Sequence, residues 1–423
     1  MIMEEVDELD QIVDRVAGLD LGKTGLVACV RVPSDRPGRR QQEVRSYDTF
    51  SRSLLELADW LRAERVTRVA MEATSSYWKP VFYLLEAEGF ECWLLNPRHV
   101  KHLPGRPKTD TLDAVWLAKV TERGMCRPSL VHPAPIRALR DLTRYRRTLI
   151  RDRTRERQRL EKLLEDAQIK LSSVISDILG VSGREMLEAM IGGHRNPRVL
   201  AQLARTRMRT KIGVLEEALT GHFTDHHAFL TRTMIDRIDQ VGADVEKVNA
   251  AIEEAMAPFR AEARRLDEIT GIGIRSAQEL IAEIGVDMTR FPTPGHLVSW
   301  AKFAPIVHQS AAVTRNGSTG KGNPWLAGTL GEVVAGVSRT HTFLGERYRR
   351  LARRRGKKRA IVAVGNSVLK IVWHVLADPD ARYQDLGEDH YLSRHTTVRR
   401  RRTLIRDLEL LTGQHVTLQP HAA

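Results

Sequence analysis

The sequence predicts an α/β N-terminal domain, then a long helical and coiled-coil region, then a mainly α-helical C-terminal domain. Three observations carry this. Short β-type runs alternate with amphipathic segments over residues 12–128. An arginine-rich helical run and a heptad-spaced apolar seam fill 130–260. A GIG turn between two helical segments opens 262–392, and residues 393–423 are expected to be a flexible basic tail.

In the first domain, residues 14–21 and 26–32 have strand character, and the GKTG between them suits a tight turn because glycine tolerates positive φ. EVRSYDTF, 43–50, can be a third strand. SRSLLELADWLRAE, 51–64, has helical apolar spacing. VTRVAM is a strand, TSSYWKPVFYLLEAEG a helix, FECWLLN a strand, and TLDAVWLAKVTERG a helix after the loop at 96–108. The order β-β-β-α-β-α-β-α fits a ribonuclease-H-like fold. A sugar-kinase ATPase-like fold is the rival reading of GLDLGKTG, which lacks the full phosphate-loop pattern.

Four acidic residues stand out on this frame. Asp20 lies on the first strand and Glu72 at the end of the fourth. Asp110 and Asp113, three apart at a helix start, point to one side. Carboxylate oxygens suit hard Mg²⁺ or Mn²⁺, and two such ions about 4 Å apart can activate an attacking oxygen and stabilise a leaving one. Clustered carboxylates repel one another unless a cation sits between them. The four are therefore candidate metal ligands for phosphodiester chemistry. Lys23 and Thr24 fit orientation of that site or of DNA, and fit simple turn solubility at least as well.

The middle region begins with one long predicted helix, in which ten arginines face three acidic residues from Arg137 to Arg159. Such a helix can track a phosphate backbone, with Arg137, Arg140, Arg144, Arg147 and Arg151 as candidate contacts. A second helical segment is expected at about 197–220. Met234, Ile238, Val241, Val245, Val248, Ile252, Ala255 and Phe259 then recur at alternating intervals of four and three. That is a coiled-coil seam, within the chain or between protomers, and a role in assembly or domain spacing is favoured. His226 and His227 have no convincing metal-ligand partners.

In the C-terminal domain, RRLDEITGIGIRSAQELIAEIG resembles a helix-hairpin-helix, whose Gly271 and Gly273 would let backbone amides approach phosphates. Ser310 follows in PIVHQSAAVTRNG, just before a glycine-rich stretch with Arg315, Lys321 and Asn323. No local histidine or aspartate explains activation of its hydroxyl, which a metal at the carboxylates could supply. RYRRLARRRGKKR holds nine basic residues from Arg347 to Arg359 and no acidic one, a candidate nucleic-acid patch that includes Arg353, Arg354, Lys357 and Lys358. RRRR at 399–402 is a smaller one.

Bulk properties agree. The 423 residues suffice for two or three domains, and a net charge of +14 favours a polyanionic partner. The three cysteines, Cys29, Cys92 and Cys126, match no zinc or disulfide framework and suit buried positions in a reducing cytosol. The acidic N-terminus has no signal-peptide pattern, and no run approaches 18 apolar residues, so a cytoplasmic protein without a membrane span is expected.

The motifs together resemble the IS110 family of transposases, including the IS116, IS902 and IS1111 types. The likeness spans roughly 14–385. It rests on LD at Asp20, ME-A-T at Glu72, KTDTLDA with Asp110 and Asp113, the GIG segment, and then SWAKFAP, HQS and GKGN in order. Ala311 stands where the family often has glycine, and Pro324 and Ala327 where it often has a bulkier or basic run. The resemblance implies a RuvC-like DEDD domain and a catalytic serine at Ser310. It also implies a site-specific recombinase that excises and inserts its element through a covalent phosphoserine, in the nucleoid. Its implied cofactors are two Mg²⁺ (or Mn²⁺) ions and a noncoding bridge RNA that pairs with donor and target double-stranded DNA. A homo-oligomer, dimer or tetramer on DNA, is implied as well. A RuvC-like structure-specific nuclease, or a non-enzymatic nucleic-acid scaffold, are the competing functions.

Overall fold

The structure, a computed structural model, describes residues 13–36, 39–97, 100, 109–310 and 313–417; for residues 110, 306–310, 313–316 and 391–400 it describes the backbone only. The acidic N-terminus before residue 13, most of the loop expected at 96–108, and Ala311 lie outside the described residues. The chain divides into two compact units, Met1–His132 and Pro133–Ala423.

The first unit is built on a five-stranded sheet. Its strands are β1 (Val16–Leu21), β2 (Gly25–Pro33), β3 (Arg40–Asp48), β4 (Arg68–Glu72) and β5 (Glu91–Leu95), in the order β3-β2-β1-β4-β5. The first three pair antiparallel, while β4 and β5 run parallel to β1. Helices α1 (Ser51–Ala63) and α2 (Trp78–Ala87) are the crossovers, and α3 (Asp110–Glu122) follows β5. The predicted order of strands and helices is thus observed over the described residues.

Side-chain parity explains the layering, since successive residues of a strand face opposite ways. Ala17, Leu19, Val69 and Met71 pack on Leu54, Leu57, Leu61, Val81 and Leu85 of α1 and α2. Val16 and Cys29 face the other way, onto Ala114, Val115 and Ala118 of α3, and Ala70 packs with Leu117 and Val120. β1 is buried on both sides, as expected of a central strand.

The second unit is mainly helical. The predicted long helix is α4 (Ala134–Asp166), and the helical segment expected at about 197–220 is two short α-helices with a 3₁₀ helix, Thr206–Lys211, between them. In chain order come α5 (Leu171–Val174), α6 (Val181–Ile191), α7 (Pro197–Ala201), α8 (Ile212–Ala218) and α9 (Asp225–Ala255). α9 packs antiparallel on α4: Arg146 reaches Asn249, Glu156 reaches Arg237, and Asp166 meets His227. The heptad seam therefore packs inside the chain at its buried positions, the first of the two pairings that the sequence left open. Ile235, Ile238, Val245 and Ile252 are all buried, and the seam ends in a 3₁₀ turn at Ala257–Phe259. His227 closes the N-terminus of α9, exchanging hydrogen bonds with Thr224.

The C-terminal part of this unit contains α10 (Arg260–Asp267), α11 (Ile274–Ile284), α12 (Pro294–Trp300), a hairpin of β6 (Pro305–Ser310) and β7 (Val313–Thr319), α13 (Pro324–Val337), α14 (Phe343–Arg355), α15 (Lys357–Ala377) and α16 (His390–Thr412). α15 is long and apolar enough to cross a membrane by length and composition. Its Ala360, Val364, Val368, Leu369 and Val372 are nonetheless buried among the neighbouring helices, as in a core helix. The expected tail at 393–423 is helical as far as Thr412, in α16.

Candidate active site

Parity and register bring three of the four predicted carboxylates to one place. Asp20 shares the β1 face of Val16, and Glu72 shares the β4 face of Ala70, so both point to the side covered by α3. The parallel pairing of Leu19 with Met71 sets the next residue of β1, Asp20, level with Glu72. Asp113 lies in the first turn of α3, which Thr109 caps by accepting a hydrogen bond from the Leu112 amide at 3.3 Å. Asp20, Glu72 and Asp113 line one open cleft of about 870 Å³ and are each half-buried. Asp110 is the first residue of the same helix, and its side chain lies outside the described residues.

Close backbone packing fixes this arrangement. A Cβ on Gly18 would lie 2.3 Å from the Ala118 amide nitrogen and 2.4 Å from the Ala114 carbonyl oxygen. Only glycine allows α3 to lie so near β1.

The cleft also holds two acidic residues that sequence reasoning missed, Asp48 at the end of β3 and Glu56 on α1, both exposed, together with Thr24 of the turn. Spacing along the chain does not signal this, because the β3-β2-β1 order brings Asp48 to the opening. Among the described residues, no group of three or more His, Cys, Asp or Glu side chains closes to metal-ligand spacing. The donor set still suits a hard divalent cation, because carboxylate oxygens are its preferred ligands and five of them share this cleft. Asp20, Glu72 and Asp113, with Asp110 at the same helix start, are the residues that would hold it.

Ser310 belongs to the second unit. It is the last residue of β6, paired with Val313 beside the tip of the hairpin. Its side chain and that of Arg315 lie outside the described residues. The base of the hairpin is tightly built. A Cβ on Gly322 would come within 2.6 Å of the Ala301 carbonyl oxygen, and Asn366 donates to the Phe303 carbonyl at 3.0 Å.

Three of the five arginines expected to track phosphate, Arg140, Arg144 and Arg147, have partners inside the second unit, while Arg151 is exposed. Arg144 grips Glu283 with two hydrogen bonds of 2.8 Å. Arg140 donates to the carbonyls of Ala282 and Glu283, at 2.9 and 3.1 Å. Arg147 reaches Glu279 and Thr329, each at 2.9 Å, and pairs with Glu332. Arg146, which burial pushes below its ordinary pKa, bonds Gln278 and Glu279. Arg151 lies over the Trp325 ring. Arg137 sits in the first turn of α4, with contacts of its own.

Two further expected contacts are also used internally. Asn323 caps α13 by accepting from the amides of Trp325 and Leu326, and it donates to Glu283. Gly271 has φ +88°, and a Cβ there would meet Val337 Cγ2 at 2.4 Å, so packing alone requires this glycine. Gly273 has open space around it. Lys321, Arg353, Arg354, Lys357 and Lys358 are exposed, the last four flanking Gly356 between α14 and α15.

Comparison with known proteins agrees with this layout. Residues 17–169 match the DEDD transposase family of IS110 elements, and residues 263–349 match the family described as Transposase IS116/IS110/IS902. The first match contains Asp20, Glu72, Asp110 and Asp113; the second contains Ser310. No curated protein matches the chain. Among solved structures, the Thermus thermophilus RuvC structure aligns at 18% identity over 27% of this chain and 99% of that one, with a TM-score of 0.22. The two matches fall in order along the chain, and it has an IS110/IS116/IS902-family transposase domain architecture.

Proposed function

We propose that the protein is a site-specific DNA recombinase of the transposase type, which moves its element by serine attack on DNA phosphodiesters. The observation that carries this reading is the single cleft shared by Asp20, Glu72 and Asp113, within the stretch that matches the DEDD transposases. The strand order β3-β2-β1-β4-β5 supports a ribonuclease-H-like, RuvC-like domain.

Asp20, Glu72, Asp110 and Asp113 would hold Mg²⁺ or Mn²⁺, which when bound would supply Lewis-acid stabilisation to phosphate oxygens. Ser310 Oγ attacks phosphorus: a Ser310 Oγ–P bond forms, a P–O bond to deoxyribose breaks, and the displaced oxygen takes up a proton. The phosphoserine keeps a phosphodiester for the reverse attack by a new deoxyribose hydroxyl, which rejoins DNA and frees the serine. In this reading the chain works as a homo-oligomer, and a bridge RNA selects donor and target by base pairing, as the family resemblance implies.

The test incubates purified protein with element-end DNA, the flanking RNA transcript and Mg²⁺. A covalent protein–DNA adduct is expected that disappears in Ser310→Ala, with cleavage lost in Asp20→Asn. Cleavage without an adduct, unchanged in Ser310→Ala, identifies a plain nuclease instead. Full activity in Asp20→Asn removes the carboxylate site.

A further inference from the structure

A second depression adjoins the acidic cleft and has the opposite charge. It has a volume of about 410 Å³ and is lined by Lys23, Thr49, Ser76, Tyr77 and Lys79. Gly22 lines both depressions, so the two are continuous at the turn between β1 and β2. Both lysines are exposed, and no ion pair engages either ammonium group among the described residues.

The walls of this groove are held by the elements that carry the acids. The Thr49 hydroxyl donates to the Lys23 carbonyl at 3.0 Å, which pins the β1–β2 turn to the end of β3. On the other side, Glu72 leads into a short strained loop. The Thr74 amide donates to the Glu72 carbonyl at 2.8 Å, Ser75 has φ +48°, and the Tyr77 amide donates to the Thr74 carbonyl. A non-glycine residue in this region of φ costs about 1–3 kcal/mol and persists only where the surroundings over-determine it. The loop places Thr74 in the acidic cleft and Ser76 and Tyr77 in the basic groove.

We propose that the groove of Lys23, Ser76, Tyr77 and Lys79 binds the DNA strand that enters the acidic cleft, next to the phosphate that reacts. This rests on the recombinase reading above. A polyanion approaching five carboxylates is repelled, so a neighbouring phosphate needs its own cations close at hand. Two lysines on opposite walls supply them. Hydroxyls of Thr49 and Ser76 suit phosphate oxygens, and the Tyr77 ring offers a stacking face to a base without reading its identity. Stacking on Tyr77 needs a base face that pairing does not cover, so the strand bound here is unpaired.

The experiment uses the full chain and a short fluorescein-labelled single-stranded DNA, titrated at several salt concentrations without divalent metal. Lys23→Gln/Lys79→Gln should weaken binding by about tenfold at low salt and reduce the log–log salt slope by about 1.4, two contacts at about 0.7 each. Lys23→Arg/Lys79→Arg should restore both. An oligonucleotide carrying 5-iododeoxyuridine should photocrosslink to the peptide containing Tyr77. An unchanged slope with no crosslink at Tyr77 overturns the assignment, as does an effect seen only with RNA of the same sequence. Adduct formation by the wild-type chain is scored separately. A normal adduct with an unchanged slope removes the groove alone, and a reduced slope in a chain that forms no adduct removes the recombinase reading alone.

Discussion

Arg144 and Glu283 meet side-on, with Nε and Nη2 of the guanidinium each donating to one carboxylate oxygen at 2.8 Å. The Glu283 side chain is 3% exposed and also faces Arg140 and Asn323. One carboxylate therefore ties the long helix α4 to α11 and to Asn323, the N-cap of α13. Planar two-bond pairing of this kind is the strong form of the arginine–carboxylate contact.

Glu283→Gln keeps the volume and removes the charge. It leaves Arg140 and Arg144 facing a neutral group in a nearly closed site, and stability should fall by about 3 kcal/mol. Glu332→Gln, whose side chain is 68% exposed, should change it by no more than about 0.5 kcal/mol. The urea midpoints of the two variants decide between this web and a decorative one.

Val245 is 3% exposed in the α4–α9 interface. Val245→Asp buries an unpaired carboxyl there and should cost more than about 3 kcal/mol. Circular dichroism should show a lower melting temperature. Light scattering that shows only a change of mass, with the melt unaltered, would return the seam to a role between protomers.

Gly271 and Gly273 should behave differently. Gly271→Ala forces a Cβ against Val337 at φ +88° and should lower the melting temperature, whereas Gly273 has nothing within 4 Å and φ −102°. Gly273→Ala should leave the melt unchanged. If only Gly273→Ala weakens DNA binding, the turn meets phosphate through its second glycine.

The helical unit should lose stability in acid. The Arg232 guanidinium holds the Glu188 carboxyl below its ordinary 4.5, and Arg184 holds Asp239 below its ordinary 3.8, joining α6 to α9. Depressed carboxyl pKa values mean that the unfolded chain binds these protons first. The contribution is complete above those ordinary values and is lost as pH falls through the lower folded ones. The thermal midpoint should therefore drop steeply below about pH 4, and less steeply in Arg184→Gln/Arg232→Gln. Both pairs are partly exposed, so salt should blunt the effect.

The first unit was legible because its patterns are local. Alternation in VAGLDL and helical spacing in SLLELADWL each declare one face, and parity then fixes where Asp20 and Glu72 point. Asp48 and Glu56 were not legible, since their place in the cleft depends on strand order rather than on neighbours in sequence. The arginines of α4 show the same limit. Their sign is visible in the sequence, but their partners, Glu279 and Glu283, stand four apart on α11 and look like an ordinary solvated face. The seam on α9 had the right period, and only its partner, α4, was hidden. Residues 393–423 read as a tail because RRRR dominates that stretch, although LIRDLELL beside it continues the helix His390–Thr412.

Gly18 gives the acidic cleft a fixed gauge. With the backbone of α3 resting directly on β1, the helix start that carries Asp113 and the strand that carries Asp20 form one rigid jaw. That jaw cannot open by sliding helix over strand without unstacking the sheet. Under the proposed function, spreading these acids then offers little scope for control, and timing falls to what is brought to the jaw.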